Sequence, residues 1–151
     1  MEERSASEGA PLLDPDAVAL LERDPFALLL GVLLDQQVRA ETAFEAPHRL
    51  KARLGHLDPS RLAAMDDDAV HAVFAEKPAL HRYPKMMARR ARALAGAVST
   101  EYRGDASEVW SEGDEKAVRA RAGDLPGFGP AKVDTLVHAL ALFGHRRLRS
   151  T

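Results

Sequence analysis

Signals that start helices recur along this chain and constrain its fold more than any other feature. Asp14-Pro15, Asp24-Pro25 and Asp58-Pro59 each place a carboxylate acceptor at an N-cap position and a proline at the first helical position. No stretch alternates between apolar and polar residues for long enough to predict a strand. These patterns predict an all-α fold of about eight helices. Further helix starts are predicted at Asp66, Pro84, Asp114 and Pro130.

The length of the chain suits a single domain. It has 151 residues, of which 46% are apolar and 29% are charged, and these values are typical of a soluble globular protein with a sizeable core. We expect a flexible tail over residues 1–11, one helical domain over residues 12–144 and a basic C-terminal tail over residues 145–151.

Charge and cysteine content exclude several classes of chemistry. The net charge is −2, so contact with a nucleic acid must rest on a local basic patch. The chain has no cysteine, which excludes disulfides, a thiolate nucleophile, cysteine-bound zinc and an iron–sulfur cluster held by thiolates. The six histidines form no closely spaced ligand pair, and we expect each to be solvated or half-buried: His48, His56, His71, His81, His138 and His145.

Neither a signal peptide nor a membrane span is predicted. The first ten residues are polar and acidic and lack the apolar core of a signal peptide. The longest apolar run, residues 26–34, is far too short to cross a bilayer. We therefore expect a cytoplasmic protein without a membrane partner.

The segment Leu125–Lys132 reads L-P-G-F-G-P-A-K and precedes an apolar, helix-periodic stretch. Gly127 and Gly129 lack a Cβ atom and can let the backbone approach a partner closely. The following helix presents N–H groups without intrahelical acceptors and the positive end of its dipole, which together hold a phosphate. The pattern predicts a helix-hairpin-helix over residues 120–144 that grips a DNA backbone. The alternative is an ordinary turn before a core helix.

Two glutamines follow the most apolar part of the chain. The run Phe26–Val38 predicts a helix at the centre of the core, and its end is abruptly polar at Asp35, Gln36 and Gln37. Glutamine amides can bind base edges or fill the gap left by an extruded nucleotide. Taken alone, the pattern is better explained by a core helix whose last turn reaches water.

The segment 81–92 contains five lysine or arginine residues and no acid. Lys85, Arg89 and Arg92 are spaced to share one helix face. A second basic cluster, Arg146, Arg147 and Arg149, comes after the predicted hairpin. Two basic clusters near a phosphate clamp predict a surface that follows a DNA backbone, and a solvated helix face is the alternative.

The order of these elements resembles the helix-hairpin-helix–Gly/Pro–Asp superfamily of base-excision DNA repair glycosylases. The resemblance covers roughly residues 24–144, from Asp24-Pro25-Phe26 through Leu34–Gln37 to the hairpin, and is strongest to small bacterial members. It implies a helical bundle of the DNA glycosylase type. Members of the family bind duplex DNA, kink it, flip a damaged base out of the stack and cut its glycosidic bond.

The resemblance also implies roles for individual residues. Gln37 matches the amide that enters DNA near the flipped nucleotide, and Gly127, Phe128 and Gly129 match the hairpin that donates N–H groups to a phosphate. The carbonyls of Gly123, Leu125 and Phe128 match those that hold K⁺ or Na⁺ in the family, and no other cofactor is expected. The expected DNA-binding residues are Gln36, Gln37, Arg39, Lys85, Arg89, Gly127, Phe128, Gly129, Ala131 and Lys132.

The chain departs from the family at both catalytic positions. Ala131 stands where bifunctional members carry a Schiff-base lysine, and Lys132 lies one residue further, turned by about 100° on a helix. The family's catalytic aspartate follows the second hairpin helix, but residues 145–151 contain no acid. We therefore expect no β-lyase activity. Lys132 and Asp35 remain the candidate catalytic residues, with Asp35 better explained as a cap partner or a surface charge.

Three functions from different classes follow. The favoured one is a DNA-binding protein of the base-excision repair type, associated with the nucleoid, which grips double-stranded and damaged DNA and, if active, is a monofunctional glycosylase. The second is a noncatalytic module that senses lesions. The third is a protein–protein adaptor that reuses the fold. Release of a free base distinguishes the first, and DNA binding without salt dependence would favour the third.

Overall fold

The computed structural model describes residues 13–148, and within that range the chain is helical and contains no strand. This confirms the predicted all-α class. The predicted tail over residues 1–11 and the last three residues lie outside this range. The α-helices are α1 (Pro15–Arg23), α2 (Pro25–Leu34), α3 (Ala40–Leu54), α4 (Pro59–Ala64), α5 (Asp67–Ala75), α6 (Pro84–Glu101), α7 (Glu115–Gly123) and α8 (Pro130–Leu142), with a 3-10 helix at Ala106–Val109.

Aspartate caps start five of these helices. The carboxylates of Asp14, Asp24, Asp58, Asp66 and Asp114 each accept a backbone N–H two or three residues further along the chain. Each cap satisfies a donor that the helix itself leaves without an acceptor. The helix starts predicted from the sequence at these residues are therefore confirmed.

The helix α2 forms the centre of the core. All residues from Phe26 to Leu34 are buried, and α2 packs against α1, α3, α6 and α8. The predicted continuation of this helix to Val38 is wrong, because α2 ends at Leu34 and Gln37 adopts a left-handed backbone conformation with φ +57°. A right-handed helix cannot continue through such a residue. Residues 35–39 instead form a loop, called the glutamine loop below.

The turn between α7 and α8 is fastened to α2. Gly127 has φ +82°, and a Cβ atom there would lie 2.9 Å from Leu33 Cδ1. The side chains of Leu125 and Phe128 are buried in the core beside it. The position of this turn places the first turn of α8 next to the glutamine loop, where Lys132 Nζ lies 3.3 Å from the carbonyl oxygen of Asp35.

Residues after α8 pack against the body of the protein. The His145 ring meets Trp110 edge-on, and its Nε2 lies 2.6 Å from the carbonyl oxygen of Leu21. Arg146 donates to the carbonyls of Trp110 and Gly113. The predicted C-terminal tail thus begins with an anchored segment.

The second basic cluster is not near the predicted phosphate clamp. The Arg146 N–H bonds to the carbonyl of Leu140, which lies about 16 Å along α8 from Gly129, so the cluster is at the opposite end of this helix. The guanidinium of Arg146 is also occupied by backbone carbonyls. The expectation that both basic clusters lie beside the clamp is therefore wrong, and Arg149 lies outside the described residues.

Among the helices of residues 13–148, none is both long enough and apolar enough to cross a membrane.

Candidate nucleic-acid interface

Three helix starts without a side-chain cap meet around the glutamine loop. The loop leads directly into α3, the α6 N-cap residue Tyr83 donates its hydroxyl to Gln37, and Lys132 in the first turn of α8 reaches Asp35. The five aspartate-capped helices carry a negative group at their N-cap. The helices α6 and α8 carry none at the N-cap or in the first turn, whereas α3 has Glu41 in its first turn. The positive dipole ends of α6 and α8 therefore favour an anion at this surface.

Gln37 stands on this surface in a fixed orientation. It is exposed, and its Oε1 accepts the Tyr83 hydroxyl at 2.9 Å. Its φ of +57° is uncommon for a residue other than glycine. Backbone conformations of this kind are maintained by their surroundings and concentrate at functional sites. The loop therefore presents one glutamine amide outward and holds it with a side chain from α6.

Gln36 ties the loop to the body of the protein. Its Oε1 accepts a hydrogen bond from Arg90 Nη1 at 3.1 Å, and its side chain is half-buried. The two glutamines that the sequence places side by side thus differ in role. Gln36 supports the loop, and Gln37 is available to a partner.

His81 connects the end of α2 to the start of α6. Its Nδ1 accepts the Tyr83 backbone N–H at 3.0 Å, so its Nε2 carries the proton and donates to the carbonyl of Leu34 at 2.9 Å. Burial lowers the pKa of His81, although the carbonyl bonds oppose this. The expectation of a solvated or half-buried histidine is wrong here, because His81 is only 2% exposed.

The two candidate catalytic residues lie together at the start of the glutamine loop. Lys132 Nζ donates to the main-chain carbonyl of Asp35 at 3.3 Å, and both side chains are half-buried. Burial lowers the pKa of Lys132, and the neighbouring Asp35 opposes that shift. Burial likewise raises the pKa of Asp35, opposed by Lys132. Asp35 is the C-cap of α2, so it is neither an N-terminal cap partner nor a fully exposed charge.

Gly127 and Gly129 have different reasons to lack a side chain. Gly127 needs its left-handed backbone and would meet Leu33, as described above. Gly129, the N-cap of α8, has an ordinary φ of −84°, and a Cβ atom there would have no heavy atom within 4 Å. Nothing in the described fold requires a glycine at Gly129. The space beside it is open to a partner.

The donors of this turn are only partly available. The N–H of Phe128 donates to the carbonyl of Leu125 at 3.1 Å, and the Phe128 side chain is buried. The N–H groups of Ala131 and Lys132 belong to the first turn of α8, where a helix supplies no acceptor and no side chain caps it. The backbone donors that face an incoming anion therefore come from the first turn of α8 more than from Phe128.

The basic face of α6 is shorter than predicted. Lys85 and Arg89 are exposed. Arg92, which the spacing places on the same face, forms an ion pair with Asp67 and donates to the carbonyl of Ala63 at 3.3 Å. The prediction of three cations available on one face is wrong for Arg92, because α5 brings an acid that the local sequence lacks.

Arg39, which the sequence predicts to contact DNA, has a partner of its own. It is exposed in the glutamine loop and lies 3.7 Å from Glu41. The exposed carboxylate of Asp134 on α8 is likewise paired, with Arg119 at 2.7 Å.

The hairpin carbonyls are compatible with a monovalent cation. The carbonyl of Leu125 accepts the N–H of Phe128, and this bond leaves one lone pair of the oxygen for a cation. K⁺ or Na⁺ bound there by Gly123, Leu125 and Phe128 would hold the turn in shape, and this stays a prediction.

A second group of potential metal ligands lies between α1 and α3. Ligand atoms of Asp14, Asp16 and His48 lie within 4.8 Å of one another. Both carboxylates are exposed, and that of Asp14 already caps α1. The cluster is therefore accounted for without an ion.

The residues that orient the loop have no signal in the local sequence. Tyr83 and Arg90 lie in the basic segment 81–92, whose pattern indicates only charge, and the histidine pattern predicts a solvated or half-buried His81. Their partners Gln37, Gln36 and Leu34 are 46, 54 and 47 residues away. No local spacing could have revealed such pairs.

No protein-family model matches this chain, and no curated protein matches it. Its similarity to the glycosylase superfamily therefore stays a resemblance carried by the motif residues.

Proposed function

We propose that this chain is a DNA-binding protein of the base-excision repair type that holds the duplex backbone at the start of α8. The observation that carries the proposal is Gly129, an exposed N-cap residue where no heavy atom lies within 4 Å of the position of a Cβ atom. A phosphate there would accept N–H groups of the first turn of α8 and would lie at the positive end of its dipole.

The glutamine loop supports the same function. Gln37 is held outward by Tyr83 next to the first turn of α8, and Lys85 and Arg89 follow Tyr83 on α6. A phosphate held at α8 would bring the bases of the same DNA over Gln37. Its amide can then fill a gap left by a base that has moved out of the stack.

The test compares two glycine substitutions in a duplex-binding assay. Gly129→Ala adds one methyl group where the phosphate would approach. We expect it to weaken binding about tenfold or more, since a hydrogen bond to a charged group contributes about 1.5–3 kcal/mol. Gly96→Ala on α6 is the matched control, because a Cβ atom there also has open space. Fluorescence anisotropy over a salt series measures both.

Equal affinities of Gly129→Ala and the parent at matched salt would show that the start of α8 is not the clamp. Gly127→Ala is unsuited to this test, because strain at φ +82° and contact with Leu33 would disturb the turn itself. A parent protein that binds duplex without salt dependence would instead favour the protein–protein adaptor.

A monofunctional glycosylase is the second candidate, favoured by one observation. Asp35 and Lys132 lie together, half-buried, next to Gln37, and burial raises the pKa of Asp35. A carboxylate in such a place can assist the departure of a base as an acid or a base. Base release from duplexes with uracil, alkylated or oxidised bases tests this. Activity that Asp35→Asn abolishes supports the enzyme, and binding without base release supports the lesion-sensing module.

We expect no β-lyase activity in either case. The Lys132 amine is directed to the Asp35 carbonyl, and Ala131 occupies the position of the family's nucleophile. Borohydride reduction in the presence of abasic DNA traps a Schiff base if one forms. We expect no covalent adduct. An adduct that is lost in Lys132→Ala would make Lys132 a nucleophile and overturn this expectation.

A further inference from the structure

A cleft of about 510 Å³ opens at the start of α6. His71 of α5 lines one side, and residues 82–86 and Arg89 line the other. Its volume lies within the range of small-ligand sites. The cleft lies beside the glutamine loop, because Tyr83 lines the cleft and donates its hydroxyl to Gln37 of the loop.

The cleft is rich in cations with few acidic partners. Arg82, Lys85 and Arg89 are exposed, and no ion pair within the described range involves them. Asp67 and Asp68 border a smaller adjoining hollow, but Asp67 is already paired with Arg92. The balance of charge therefore favours an anionic ligand.

The cleft also offers planar and apolar surfaces. Tyr83, Pro84 and Met86 are half-buried in its wall, and the guanidinium of Arg82 lies 5.4 Å from the centre of the Tyr83 ring. Bases that have left a stack bind aromatic rings and guanidinium planes. The backbone of an intact duplex would engage the cations alone, because its bases remain stacked inside the helix.

We propose that this cleft binds an unpaired DNA nucleotide, with phosphates against Arg82, Lys85 and Arg89 and a base against Tyr83 and Arg82. The choice of DNA rests on the proposed function, since a duplex gripped at α8 would meet the cleft beside Gln37. The substrate class is then DNA that contains an unpaired nucleotide, such as a bulge or a junction with a single strand.

The experiment uses the parent protein and a fluorescein-labelled single strand of eight thymidines. Lys85→Ala/Arg89→Ala removes two cations from the cleft, and we expect about a tenfold loss of affinity and a salt slope smaller by about 1.4. Arg61→Ala/Lys116→Ala is the matched control, because it removes two exposed cations from α4 and α7. We expect the control to lose much less.

A second probe tests whether the base is bound. An abasic strand of the same length carries the same phosphates and no bases. We expect it to bind about tenfold more weakly than the thymidine strand, because stacking on an aromatic ring contributes to each bound base. Equal affinity of the two strands would reduce the cleft to a phosphate contact and overturn the proposal.

The outcomes separate this proposal from the proposed function. If both double variants bind the thymidine strand alike, or the parent does not bind it, the cleft is not the site. The proposed duplex clamp is then tested independently, by the duplex affinity of Gly129→Ala. If Lys85→Ala/Arg89→Ala weakens binding of the thymidine strand and the parent does not bind duplex, the proposed clamp at α8 is wrong and the proposed cleft site is supported.

Discussion

At the scale of single residues, the candidate interface depends on how side chains are held. Gln37 has the chemistry to contact DNA, but its direction is set by the hydroxyl of Tyr83 and by its own left-handed backbone. Tyr83 in turn is placed by its N–H bond to His81. A glutamine that is held in place loses less entropy when it binds, so under the proposed function Tyr83 and His81 would add to affinity by orienting Gln37.

The Tyr83–Gln37 bond can be tested with a double-mutant cycle. Tyr83→Phe removes only the hydroxyl, and we expect binding to duplex with an abasic site to weaken about two- to tenfold, as the loss of one neutral hydrogen bond predicts. Gln37→Ala should weaken binding to the abasic duplex more than binding to intact duplex, because a filler gains only where a base is missing.

The combined variant shows whether the two residues act together. If Tyr83 acts by orienting Gln37, Tyr83→Phe has no further effect in the Gln37→Ala background. Anisotropy measurements on both duplexes give the four values. Additive losses would mean that Tyr83 contacts DNA by itself, and equal losses on both duplexes would leave Gln37 as an ordinary surface residue.

At the scale of helices, the glutamine loop joins two helices, α2 and α3, that pack closely against each other. A Cβ atom at Gly31 of α2 would lie 2.7 Å from Phe44 Cδ1 of α3. Phe44 stacks on Phe143 with ring centres 6.0 Å apart, so it has little room to move. The glycine therefore allows the two helices on either side of the loop to approach closely.

Alanine substitutions at two helical glycines should change the free energy of unfolding in opposite directions. Gly31→Ala gains helix propensity but overpacks the α2–α3 contact, and we expect the free energy of unfolding to fall by about 1–3 kcal/mol. Gly96→Ala on α6 has open space, and we expect an increase of up to about 1 kcal/mol. Urea denaturation measures both. A stabilised Gly31→Ala variant would show that Phe44 yields easily.

At the scale of the whole molecule, the buried, neutral ring of His81 links the residues of the candidate interface to the stability of the core. Its ring joins Leu34 of α2 to Tyr83 of α6, and Arg90 and Lys132 are the cations that face it. Protonation would place a donor at Nδ1 opposite the Tyr83 N–H, and a cation inside the core. The folded protein therefore holds this histidine in its neutral form.

The consequence is a loss of stability in mild acid. Because the folded pKa of His81 lies below the unfolded value near 6.5, the unfolded chain takes up the proton first as pH falls. His81 thus contributes nothing to the pH dependence above about 6.5, and below it lowers the free energy of unfolding by at most about 1.4 kcal/mol per pH unit until the folded pKa is reached.

Urea denaturation at pH 7.0 and pH 5.5 tests this coupling. His81→Gln should show a smaller difference between the two pH values than the parent. His138→Gln is the control, since it removes an exposed histidine on α8 that has no place in this network. An unchanged difference in His81→Gln would mean that His81 does not titrate in this range.

The sequence by itself determined where most helices start and that the described chain is all-α. An aspartate cap binds an N–H only two or three residues away, so its effect can be read from a dipeptide such as Asp24-Pro25. The helix α3 shows the limit of this reasoning. Its N-cap Arg39 makes no side-chain cap bond and Pro47 lies inside it, so no such signal marks its start.

Only the tertiary structure decided which candidate residues are left exposed and unpaired. Arg92 is paired with Asp67, 25 residues away, while Lys85 and Arg89 stay exposed. Gly127 is required by its backbone and by Leu33, while Gly129 is not. The physical reason is the same in both cases. Whether a charge is paired, and whether a glycine has open space beside it, depends on every element packed around it, and those elements are distant in the chain.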